Sequence, residues 1–167
     1  MARKMPFENK EKADKFLEIW DDICNELGIR RSLIYGTALG FYREGGYIKG
    51  DSDIDVRVFC KRDKWDKMVA KLHEKGVTQT LPHGFGFYKD AVLMCIERCE
   101  RVGVVTYQDG WEITCLPYYE FETIEYNGRK YNIPHPIEKY LEQRYGADWR
   151  TPKPGAKAQP GVGIRIK

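Results

Sequence analysis

Apolar residues recur at helical spacing at the start of the chain. Ala13, Phe16, Leu17, Trp20, Cys24 and Leu27 fall on one stripe, which predicts an amphipathic helix from about Glu8 to Leu27 with Gly28 as its stop. Ser32-Leu33-Ile34-Tyr35 is a short buried strand that runs into the small residues of Gly36-Thr37-Ala38-Leu39-Gly40. Phe41-Tyr42-Arg43 then resumes with helical character, so a strand, a tight turn and a helix start are expected here. Ile54-Asp55-Val56-Arg57-Val58-Phe59 is β-branched and apolar, the composition of a strand packed against a core. A second helix begins at Asp63 as N-cap, buries Trp65, Met68, Val69 and Leu72, and ends at Gly76. From Val77 to Pro117 the pattern is mainly strands. Glu122 to Ile133 is a hairpin turning at Asn127-Gly128, a pair that favours a type I′ turn. Pro136 starts a last helix with Ile137, Tyr140 and Leu141 inward and Gly146 as its stop. Pro, Gly and Lys dominate from about Thr151 to Lys167, so a single domain over residues 1–150 is followed by an expected flexible tail over residues 151–167.

The acidic run before and within the second strand carries the chemistry. Asp51, Asp53 and Asp55 alternate with Ser52, Ile54 and Val56, and a strand over this stretch places three carboxylates on one face. Next-but-one side chains on a strand lie only ~7 Å apart. Like charges that close disfavour joint ionisation unless a cation sits among them. Hard oxygen ligands with no His or Cys nearby in the sequence point to magnesium or manganese. A calcium loop of the EF-hand kind is excluded, because it needs Gly and Glu where this chain has Val56 and Arg62. Upstream, the small residues around Gly36 allow a phosphate to approach the backbone, the Thr37 hydroxyl can donate to it, and the free N–H groups of a helix start favour an anion.

With these residues the chain resembles the LicD-type and fukutin-related proteins of the nucleotidyltransferase-fold superfamily. The matching positions are Tyr35-Gly36-Thr37-Ala38-Leu39-Gly40, Arg43, Gly46, Ile48 and Asp51-Ser52-Asp53-Ile54-Asp55-Val56. Later come Tyr131-Asn132-Ile133-Pro134, Tyr140-Leu141, Arg144-Tyr145-Gly146-Ala147-Asp148-Trp149 and Pro152, so the resemblance covers about residues 30 to 152. Many family members carry Trp and Asp where this chain has Gly50 and Ser52. The resemblance implies an α+β, nucleotidyltransferase-like fold with a mixed central sheet flanked by helices. It implies that Asp53 and Asp55 hold the metal with help from Asp51, and that Gly36, Thr37 and Gly40 cradle a donor phosphate. Arg43 matches the family's Arg and Lys49 shares the acidic face, so both are expected to contact the donor. The family's third carboxylate precedes an apolar, Pro-terminated run, and Glu112 in Trp111-Glu112-Ile113-Thr114-Cys115-Leu116-Pro117 matches it, as metal ligand or general base. Glu97 is the rival.

The implied reaction is metal-dependent transfer of a phospho-alcohol, of phosphocholine or ribitol-phosphate type, from a cytidine-diphosphate-linked donor to a glycan hydroxyl. Transfer of a nucleotide from a nucleoside triphosphate to a small molecule, protein or nucleic acid uses the same metal site. A non-catalytic nucleotide-binding module on the same fold is the third reading.

Composition narrows the setting. The 167 residues, 42% of them hydrophobic, suffice for one core. A net charge of +3 gives no basic stripe of the kind that binds nucleic acid. Five cysteines, an odd number and without CxxC pairs, point to reduced thiols and a cytoplasmic protein. His73, His83 and His135 are scattered and carry no ligand pattern. No apolar stretch approaches a membrane span, and the first residues lack the apolar segment of a signal peptide.

Overall fold

The computed structural model describes residues 6–80, 85–102, 105–108, 111–113, 120–155 and 163–165. The helical stripe of the N-terminal segment becomes α1 (Lys10–Glu26), which buries Ala13, Phe16, Leu17, Trp20, Ile23 and Cys24 and is followed by Gly28 in the left-handed conformation. The second predicted helix is α3 (Arg62–Glu74), with Trp65, Met68 and Leu72 buried. Its N-cap is Lys61, and Asp63 falls in the first turn, where a carboxylate complements the partial positive charge of the helix start. The last predicted helix is α4 (Ile137–Tyr145), capped by Pro136 and Gly146, with Ile137, Tyr140, Leu141 and Arg144 inward.

Between α1 and α3 the chain forms β1 (Arg30–Leu33), α2 (Tyr35–Glu44) and β2 (Ile54–Phe59). β1 and β2 are antiparallel, and β2 runs parallel to β5 (Val92–Val102), with α3 in the crossover. The other edge of β5 is covered by β4 (Gly86–Lys89) at its start and β6 (Val105–Gln108) at its end. β3 (Thr78–Gln79) pairs with β4, while β7 (Trp111–Ile113) and β10 (Gly163–Arg165) extend the sheet beyond β6. The sheet is therefore mixed, and the fold is α+β as expected. The hairpin β8 (Phe121–Tyr126) and β9 (Arg129–Pro134) turns at Asn127 and Gly128, both with positive φ as a type I′ turn requires.

β2 has two unlike faces. Ile54, Val56 and Val58 are fully buried and join Phe16, Trp20, Met68, Leu72, Phe87 and Ile96 in the core. Asp55 and Arg57 point the other way, toward Tyr35, Tyr140 and Tyr145. Burial of the even-numbered side chains fixes the register, because a slip of one residue would drive the two charged groups into the core. Thr151 to Gly155, assigned from sequence to the tail, lie along a cleft beside this charged face, and Gly163–Arg165 pairs with β7. Residues 156–162 and 166–167 fall outside the described residues. Among the described residues no helix is long and apolar enough to cross a membrane.

Candidate active site

The site begins with a turn made in one step. Ile34 is extended (φ −137°, ψ 175°) and Tyr35 is left-handed (φ 44°), so α2 starts immediately after β1. The tight turn expected over Gly36 to Gly40 is instead the body of that helix. A left-handed tyrosine costs on the order of 1 kcal/mol, and several contacts hold it. Its backbone N–H donates to the Tyr140 hydroxyl at 2.9 Å, and the Arg144 and Arg57 guanidinium groups lie 5.2 and 5.9 Å from its ring centre.

The three positions assigned from sequence to a phosphate cradle separate in space. Gly36 lines the cleft, and a Cβ there would stand 2.7 Å from Asp51 Oδ2. Thr37 is buried, and its Oγ1 accepts the backbone N–H of Asp55 at 2.8 Å. Through that oxygen it pins the start of β2. Gly40 is a packing glycine, because a Cβ there would meet the Gly46 carbonyl oxygen at 2.5 Å.

The three aspartates also part from the expected single strand face. The backbone turns over Ile48 to Asp51, with the Asp51 N–H donating to the Ile48 carbonyl at 3.0 Å and Gly50 at φ 82°. β2 starts only at Ile54, so Asp51 and Asp53 belong to the approach and Asp55 alone to the strand. All three still line the same cleft. Asp51 Oδ1 accepts the Ser52 N–H at 2.9 Å, and Ser52 Oγ donates to Asp53 Oδ1 at 3.2 Å.

Across the strand pair, Asp55 is in register with Cys95 of β5. The Cys95 thiol donates to Asp53 Oδ2 at 3.3 Å, and one ligand atom each from Asp53, Asp55 and Cys95 lie within 4.8 Å of one another. From sequence, Cys95 and Cys99 have too little support from nearby His to read as a zinc site; the place of Cys95 depends on a strand pairing 40 positions distant. Glu112 belongs to β7, outside the strand pair that carries this group. Its backbone pairs with Tyr107 of β6 and Ile164 of β10, with β6 and β5 between it and β2. Glu97 is nearer, two residues along β5 from Cys95, but its Oε2 accepts from Arg57 Nη2 at 2.7 Å and Nε at 3.2 Å.

The charge balance favours a cation. Burial, followed by the neighbouring Asp53, Asp51 and Glu97 carboxylates, pushes the Asp55 carboxyl up from the usual range to about 8. Arg57, a buried cation on this face, is committed to Glu97. The donor set of two carboxylates and a thiol, with the third aspartate on the cleft wall, fits a divalent metal ion.

The cleft itself is about 460 Å³. Besides the aspartates its walls carry Tyr35, Arg43, Lys49, Tyr145, Trp149 and Lys153. Arg43 donates from Nη1 to the Trp149 carbonyl at 2.8 Å and from Nη2 to Glu44 at 3.1 Å, fastening the segment after α4 to α2. Lys153 pairs with Asp148 on the same wall. The signal for these wall residues was the Tyr145 to Pro152 segment of the family resemblance, which gave no role to the lysine.

No model of a protein family matches the chain. The chain is 24% identical to the human protein named ribitol-5-phosphate transferase FKTN and 25% identical to that of Mus musculus. Each match covers 86% of this chain and 34% of the relative, so the chain spans about a third of the length of these relatives. Among solved structures, the antibiotic-resistance factor ANT(2'')-Ia superposes with a TM-score of 0.53 at 15% identity, covering 72% of this chain and 63% of that one. That is a likeness of fold alone. Over most of its length the chain is similar to proteins that are transferases.

Proposed function

We propose that the protein is a metal-dependent transferase that moves a phospho-alcohol group, ribitol phosphate or phosphocholine in kind, from a cytidine-diphosphate-linked donor to a glycan hydroxyl. One observation carries the reading: Asp53 and Asp55 converge, with no cation committed to them among the described residues, in a cleft whose rim holds Arg43, Lys49 and Lys153. Similarity to the ribitol-5-phosphate transferases supports the choice of transferred group.

In such a transfer the acceptor oxygen attacks the phosphorus that bears the alcohol, and the bond to the bridging oxygen breaks, releasing the nucleoside monophosphate. The protein's task is positioning and charge compensation. Asp53 and Asp55 are the residues that would hold magnesium or manganese, which neutralises the diphosphate and lowers the pKa of an acceptor hydroxyl. Gly36 keeps Asp51 close to the helix start by carrying no side chain. Arg43 holds the wall that contains Trp149, and Lys49 presents positive charge to an anionic donor. Tyr145 and Trp149 offer aromatic surface to a base or sugar.

A thermal-shift panel tests the reading. The purified chain with magnesium or manganese is screened against CDP-ribitol, CDP-choline, CTP, ATP, GTP and UTP. A metal-dependent rise in midpoint with a CDP-alcohol is the expected result. A rise with a triphosphate alone would replace this reading with nucleotidyl transfer, and no rise with any of them would favour a non-catalytic module.

A further inference from the structure

Cys95 stands where its neighbours on β2 leave room for a third ligand. It is the register partner of Asp55, and its sulfur is 3.3 Å from Asp53 Oδ2. The next side chain on that face of β5, Glu97, is held by two hydrogen bonds from the buried Arg57. Glu112 lies beyond β6. Among the described residues, sulfur is therefore the donor that completes the set with the two carboxylates.

We propose that Cys95 is a ligand of the cleft's metal ion and sets its preference, favouring softer divalent cations such as manganese, zinc or cadmium over magnesium. The inference rests on the reading of Asp53 and Asp55 as a metal site and concerns which ion that site selects. Magnesium demands a near-octahedral shell of hard oxygen atoms, whereas thiolate sulfur binds the later and softer divalent ions more tightly. On binding, the hydrogen bond from the thiol to Asp53 is exchanged for a bond from each group to the ion, and the thiol proton leaves to solvent. A sulfur in this place also opens the site to oxidation and to heavy-metal capture, consequences that a third carboxylate would not bring.

The test uses the full chain, without any donor, and metals alone as probes. Midpoint shifts are titrated with magnesium, manganese and cadmium, and the ultraviolet thiolate-to-cadmium charge-transfer band is recorded. Manganese is expected to act at concentrations about tenfold or more below magnesium. Cys95→Ser, a one-atom change, should abolish the cadmium band and weaken manganese about tenfold. Cys95→Asp supplies a hard oxygen instead and should bring magnesium and manganese close to parity. If both variants, folded by circular dichroism, keep the wild-type metal order and the cadmium band while Asp53→Asn removes the metal response, Cys95 is not a ligand and the two-carboxylate site stands. If no cation shifts the wild-type midpoint, the site itself falls.

Discussion

Two neighbouring pairs on one face of the same two strands behave in opposite ways. Arg57 and Glu97 face each other with a 2.7 Å ion pair, supported by the Tyr35 hydroxyl 3.4 Å from Arg57. One step back, Asp55 faces Cys95, and further carboxylates from Asp51 and Asp53 crowd the same end. The first pair closes its own charge balance and stabilises the fold; at the second, no Lys or Arg among the described residues is paired with Asp53 or Asp55. The same backbone geometry thus supports a structural role and, on the proposed reading, a binding role, and the difference lies in whether a partner of opposite charge stands in register.

Breaking the uncompensated pair should have the largest effect. Asp53→Asn or Asp55→Asn is expected to lower metal-dependent turnover by about a thousandfold with the fold retained, as read by product release and circular dichroism. Breaking the compensated pair should cost stability instead. Arg57→Met leaves Glu97 facing a low-dielectric interior without its partner, an expected loss of about 3 kcal/mol in urea unfolding. Most of that loss should return in the Arg57→Met, Glu97→Met double variant, and its failure to return would deny that the pair is self-contained.

A smaller effect separates the two by pH. The Asp55 carboxyl titrates at about 8 in the folded protein against an ordinary 3.8. Between those values the native state holds a proton that the unfolded chain has released, so stability of the metal-free protein falls as pH rises through that window. The loss should show as a urea midpoint that falls steadily between pH 5 and pH 8, and Asp55→Asn should flatten the dependence and be more stable than wild type at the upper end. Saturating divalent metal should remove the loss. The smallest expected effect is at Gly36, where Gly36→Ala pushes on the Asp51 carboxylate and should raise donor KM several-fold while shifting stability by less than about 1 kcal/mol. Gly40→Ala meets a backbone oxygen instead and should destabilise by about 1–3 kcal/mol without a specific change in KM.

Local signals carried much of this into the sequence. The stripe on α1, the buried face of α3 and the Asn127-Gly128 turn are all properties of neighbouring residues, and the structure places them within a residue or two of expectation. The acidic spacing marked the right end of β2, yet alternation alone could not reveal that the turn at Ile48 to Asp51 delays the strand to Ile54. Likewise Gly36, Thr37 and Gly40 looked alike as small turn residues, and only their neighbours distinguish a cleft wall, a strand pin and a packing contact. Cys95 was illegible because its meaning comes from a parallel pairing across α3. The commitment of Glu97 to Arg57 came from that same pairing. Non-local register decides which chemistry-bearing side chains meet, and it leaves little trace in any one stretch of chain.

The most direct test of the central claim is an isothermal titration of CDP-ribitol into the full chain, with and without manganese, for wild type and Asp53→Asn. Binding that requires the metal and disappears in the variant is the expected result. Equal binding with and without metal, or in both proteins, would contradict the assignment of the Asp53–Asp55 cleft as a metal-dependent donor site.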